Sequence, residues 1–155
     1  MNNIVIILLS TLISIVLTIS TFPLGNFSPD WIYLFIIYWI LAAPGLYSLL
    51  IIWLIGLLAD ATLGAVLGLN GLVYVIISFI ILRSYKSLRY FTILQQSIIV
   101  FLLLAIKATI IIWIDSLLNM NAYTYALYWS CFISALSWPI IFYSLRYIRR
   151  KYNIS

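Results

Sequence analysis

Histidine and glutamate are absent from this 155-residue chain, and Cys131 is its only cysteine. One cysteine excludes a disulfide within the chain. Without histidine, and with a single thiol, a zinc or iron–sulfur site lacks ligands. No histidine is available as a general base, and no phosphate-binding loop occurs, so the residues point to no catalytic group, no metal and no cofactor. Charge is scarce as well, at 7% of residues, while 66% are apolar. No soluble domain presents so little polarity, and lipid is the solvent that tolerates it. A membrane β-barrel does not fit, because the apolar residues come in long runs rather than in alternation.

Those runs predict an all-α integral membrane protein, since backbone polar groups in lipid must be satisfied within their own element. The chain has room for about six crossings of roughly 20 residues each, and none for a separate soluble domain. The expected spans are about 4–22, 31–43, 46–59, 67–82, 92–114 and 125–145, in one membrane domain over 1–155. The start superficially resembles a signal peptide. It lacks a basic n-region and a small-x-small cleavage site, so it reads as a retained first span.

Residues 31–59 admit two readings. A single helix there would be about 43 Å long, against a hydrocarbon core of about 30 Å. Two helices broken at Pro44-Gly45 would each be short, at about 20 Å. Charge parity favours two. The basic loop carrying Arg83, Lys86 and Arg89 and the basic tail of Arg146, Arg149, Arg150 and Lys151 are separated by two spans and share a side. Excess Lys and Arg mark the cytoplasmic side. Six spans put both termini there, with Asp30, Asp60 and Asp115 at the outer ends and only Lys107 out of place. The net charge of +5 therefore reads as a topology signal and as contacts for membrane lipids, not as a nucleic-acid surface. Phe22, Phe27, Trp31 and Tyr33, and again Tyr123, Tyr125, Tyr128 and Trp129, are expected in an interfacial aromatic belt.

Four groups of residues are candidates for function. The first is Gly56-x-x-x-Asp60-x-x-x-Gly64-x-x-x-Gly68, whose spacing would stack small residues and one carboxylate on a single helical face. It reads as a packing groove or as a ligand contact. An ionised Asp60 without a donor would be costly, so partners are expected among backbone N–H groups near Asn70 or on a neighbouring span. Asn70-Gly71 itself reads as a turn. The second is Lys107, near mid-membrane, which either faces a partner such as Asp115 or Asp60 or snorkels toward an interface. The third is Gln95-Gln96 at the inner start of span five, an interhelical donor or a hydrated helix end. The fourth is Pro29-Asp30-Trp31, which opens span two. Pro139 should kink span six, with Ser134 or Ser137 available to a freed carbonyl.

Several short motifs occur in a fixed order: Pro29-Asp30-Trp31, Tyr38-Trp39, Ala43-Pro44, the Gly56–Gly68 run, Gln95-Gln96, Trp138-Pro139 and Leu145-Arg146. In this order and spacing the chain resembles the MreD family over essentially its whole length. The resemblance implies a non-enzymatic scaffold of the bacterial inner membrane, in the rod complex or elongasome. It implies MreC as a direct partner, with links to MreB filaments, to the peptidoglycan polymerase RodA and to RodA's partner transpeptidase. It also implies a helical arrangement similar to the substrate-binding S-components of ECF transporters. An alternative follows from that arrangement, a subunit that binds a lipid or small molecule. A third, an intramembrane enzyme acting on lipid, has no residues to support it. One departure is the uncharged corner Pro44-Gly45-Leu46-Tyr47, where the family often carries basic residues. The Arg149-Arg150-Lys151 tail is the substitute for contacts on that side.

Overall fold

The computed structural model describes residues 3–20, 25–45, 48–118 and 124–152. Among them the chain forms six α-helices: α1 (Asn3–Ile19), α2 (Trp31–Ala42), α3 (Leu49–Leu63), α4 (Leu69–Leu88), α5 (Ile93–Leu117) and α6 (Thr124–Lys151), with a 3-10 turn at Gly25–Phe27 before α2. Three helices are long and apolar enough to cross a membrane: α4, α5 and the Ala126–Lys151 stretch of α6. The others are shorter apolar helices.

Residues 31–59 form two helices, which removes the single-helix reading. Helix α2 ends at Ala42 ahead of Pro44-Gly45, and α3 starts after Ser48, whose hydroxyl accepts the Ile51 N–H at 3.3 Å. Residues before a proline are pushed out of helical geometry, and a serine cap restarts the helix. Helix α2 is apolar all round, with every residue from Ile32 to Ala42 buried, so it is the core of the bundle. At 12 residues it is only about 18 Å long. Helices α1, α4 and α6 pack around it, α3 pairs with α4, and α5 pairs with α6. The Trp39 indole N–H donates to Ser10 Oγ at 2.8 Å, fastening α2 to α1.

Several boundaries differ from the sequence reading. Helix α3 runs past Asp60 to Leu63, and Gly64 ends it in left-handed geometry at φ 65°. Gly68, at φ 92°, then stands at the N-cap of α4. A glycine can take either conformation without a Cβ penalty. Gly64 and Gly68 are thus hinges of a turn, not members of a helical ridge with Gly56 and Asp60. Asn70-Gly71 is no turn either, but lies in the first turn of α4. Arg83 and Lys86 lie on α4 rather than in a loop, and Asp115 lies inside α5. Long basic side chains allow such helical extension, because their stems cover apolar surface while the charge reaches water.

The aromatic belt is narrower than expected. Phe27, Tyr128 and Trp129 are exposed, but Tyr33 is fully buried against Tyr74, with ring centroids 4.8 Å apart. Phe22 and Tyr123, with the Tyr125 side chain, fall outside the described residues, as do Leu46 and Tyr47 of the corner. Pro139 stands within α6, but neither serine turns to the carbonyl that it frees. Ser134 donates to Ser130 O and Ser137 to Ile133 O, each reaching its own preceding turn.

Candidate functional site

Two carboxylates organise the interior. The first is Asp60, which is fully buried near the end of α3. Its oxygens accept the Gly68 N–H at 2.8 Å, the Asn70 N–H at 3.0 Å, the Asn70 side-chain amide at 2.8 Å and the Gly71 N–H at 3.4 Å. Gly68 has no side chain to cap α4, so Asp60 supplies the cap from the preceding helix. A negative group there also meets the positive end of the α4 dipole. The expected partners near Asn70 are therefore the ones present.

The clasp brings α3 and α4 close together. A Cβ on Gly56 would stand 2.2 Å from Gly71 Cα, which no real side chain tolerates. One on Gly71 would stand 3.2 Å from Trp53 O. Of the four-residue series, only Gly56 and Asp60 make the close approach, and the partner is Gly71. A Cβ on Gly64 or Gly68 would meet nothing within 4 Å.

The second carboxylate is Asp30, joined to Lys107 by an ion pair. This settles Lys107, which faces the bundle and pairs with neither Asp115 nor Asp60. Asp30 caps α2 by accepting the Tyr33 N–H at 3.2 Å, and the Tyr74 hydroxyl donates to the same oxygen at 3.3 Å. Lys107 Nζ also donates to Tyr74 Oη at 3.4 Å and lies 4.7 Å from the Tyr74 ring centroid, a cation–π distance. The Lys107 and Asp30 side chains are only 12% and 15% exposed. Pro29 is buried beside them.

The backbone at Asp30 is tied down as well. Its N–H donates to Ser134 Oγ at 3.0 Å, Ser134 donates to Ser130 O at 2.6 Å, and Ser130 donates to Ser28 O at 2.6 Å. One residue thus connects α2 with α4, α5 and α6. A hollow of about 30 Å³ adjoins it, lined by Asp30, Lys107, Ser130, Cys131 and Ser134 among others. That is the size of one water molecule. What this arrangement does chemically is neutralise a charge of each sign between helices. Ser28, Ser130 and Tyr74 were not singled out in the sequence, and Ser134 was named only for the carbonyl freed by Pro139. Only the four-residue spacing of Ser130 and Ser134 marked a polar stripe in an otherwise apolar span.

The two glutamines divide the roles foreseen for them. Gln95 completes a capping box with Thr92 at the start of α5. Gln96 is buried, donates to Leu88 O at 3.1 Å and Phe91 O at 3.3 Å, and accepts the Trp138 N–H at 3.4 Å. It ties the α4–α5 turn to α6. Asp115 is partly exposed toward the far end of α5.

Comparison with known proteins agrees with the family resemblance. A family profile described as rod shape-determining protein MreD matches residues 1–148. The chain is 33% identical over 144 residues to the rod shape-determining protein MreD of Haemophilus influenzae, covering 92% of this chain and 89% of that protein. No solved structure matches. With a match over nearly the whole length, at that identity, the chain belongs to the MreD family of rod shape-determining proteins.

Proposed function

We propose that this protein is a non-enzymatic inner-membrane scaffold of the rod complex, one that binds MreC and helps couple MreB filaments to peptidoglycan synthesis by RodA and its transpeptidase. Family membership over residues 1–148 is the observation that carries the reading. The interior agrees with it, since Asp30, Asp60 and Lys107 are all engaged in joining helices. The binding-subunit alternative, with its S-component-like fold, calls for a polar pocket at mid-depth. The hollow beside Lys107 holds about 30 Å³, which suits a water and not a substrate.

The topology proposed is six spans with both termini in the cytoplasm. Gln96 joins the start of α5 to the end of α4, and Lys107 joins the later part of α5 to the start of α2, so these helices alternate in direction. The aspartates then gather toward one end and all basic residues except Lys107 toward the other, as the positive-inside rule requires. Reporter fusions at Asn3 and Ser155 should both report cytoplasm, and an external N-terminus would defeat this topology. For the function itself, depletion should turn rods round, and the protein should co-purify with an MreC candidate. Rod shape that survives complete depletion, in a host without a second copy, would contradict the scaffold.

A further inference from the structure

The end of the bundle opposite the aspartates carries a pocket that the scaffold reading does not use. It measures about 190 Å³ and is lined by Tyr38, Arg89, Gln96, Phe142, Arg146 and Arg149, with Leu41 and Ala42 completing the wall. Three arginines from two helix ends therefore converge on one opening. Arg89 closes the C-terminus of α4, where its N–H reaches Tyr85 O at 3.1 Å, and the turn that follows is held by buried Gln96. The Arg146 guanidinium lies 5.8 Å from the Phe142 ring centroid. Tyr38, 2% exposed, lines the pocket together with Arg149.

The chain's three side-chain carboxylates are all too distant to offset Arg89 and Arg146. Asp115 lies roughly 28 Å along α5 from Gln96. Asp60 is engaged at the N-terminus of α4, roughly 27 Å along that helix from Arg89. Asp30 is paired with Lys107 at the opposite end of α2 from Leu41 and Ala42. Planar guanidinium groups present paired donors that match the oxygens of a phosphate. A basic pocket between membrane helices, with an apolar wall and an aromatic ring at its side, fits a phosphate group at headgroup level.

We propose that this pocket is a phosphate-binding site, formed by Arg89, Arg146 and Arg149 over a floor of Tyr38 and Gln96. The phosphate comes either from an anionic lipid headgroup or from free phosphate in solution. The site stands independently of the scaffold reading, because it rests on the pocket alone.

The test compares two double variants of equal net charge. Arg89→Gln with Arg149→Gln empties the pocket of two donors. Arg83→Gln with Arg150→Gln removes two charges outside it. Each protein is reconstituted in phosphatidylcholine vesicles containing a minority of phosphatidylglycerol, extracted in detergent and weighed by native mass spectrometry. In parallel, its thermal unfolding in detergent is titrated with inorganic phosphate against sodium chloride at matched ionic strength. The wild type and the outer variant should retain phosphatidylglycerol, and the pocket variant should retain about tenfold less, given the strength of charge-assisted hydrogen bonds. Arg146→Lys keeps the charge and should weaken retention by a smaller factor, which guards against a pocket variant that does not fold. Stabilisation by inorganic phosphate without lipid retention, lost only in the pocket variants, would support the site with the soluble source. Equal loss in both double variants would overturn it, since the attraction would then be surface charge in general. Stabilisation by an oligo-aspartate peptide and not by phosphate would also overturn it, in favour of an acidic protein segment.

Discussion

Asp30 and Asp60 each cap the start of a helix, and they are satisfied in opposite ways. Asp60 takes its partners from residues 68–71, just across a turn, and all of them are amides. Asp30 turns one oxygen to its own helix and gives the other to a cation 77 positions away. The first is a local clasp that closes one helical hairpin. The second is a joint through which α2, α4, α5 and α6 hold one another. The comparison teaches where charge is tolerated in so apolar a chain: amides suffice for a carboxylate within a hairpin, whereas a carboxylate among four helices takes a full counter-charge. It also predicts different failures. Loss of Asp60 strands a few dipoles at a helix end, whereas loss of Lys107 strands a whole charge between helices.

The largest effect should follow from Lys107→Met. Removing one member of a buried ion pair costs about 3–5 kcal/mol. Thermal unfolding in detergent, together with the level of protein in the membrane, should show a severe loss. Asp60→Leu should come next, at about 3 kcal/mol, because several buried N–H groups lose their acceptor. Asp60→Asn keeps one acceptor oxygen and should lose about a third of that. If the two Asp60 variants unfold alike, acceptor capacity is not what holds the hairpin. The smallest effects sharpen the picture inside the clasp. Gly56→Ala pushes a methyl into Gly71 and should cost about 1–3 kcal/mol as overpacking. Gly64→Ala meets open space and should cost only the left-handed strain, about 1–2 kcal/mol. A ranking of Gly64→Ala above Gly56→Ala would place the close approach elsewhere.

The same two aspartates show what was legible in the sequence. The helices were readable because apolar runs stop at Pro44-Gly45 and at charged or polar stretches. The partners of Asp60 were readable because they lie within a few residues of it. Lys107 had three aspartates to choose from, and nothing in periodicity selects a partner 77 positions away. Gly64 and Gly68 misled for a related reason. Four-residue spacing looks the same on one helix face as across a turn between two helices, and a positive φ leaves no mark beyond the glycine itself. Gly71 was missed as a packing residue because Asn-Gly usually signals a turn. Tyr33 and Tyr74 show that residue type alone does not separate a belt aromatic from a core one.

The central claim is that Asp30 and Lys107 act as one unit, and a double-mutant cycle tests it most directly. The four proteins are the wild type, Asp30→Asn, Lys107→Met and the two changes combined, each measured by thermal unfolding in the same detergent. The Asp30→Asn change keeps a capping oxygen for α2 and removes the charge, so the combined variant leaves no charge stranded. The account predicts a combined variant more stable than Lys107→Met alone, with a coupling of about 2 kcal/mol or more between the two positions. Losses that simply add would contradict it, and would mean that Lys107 answers to another group.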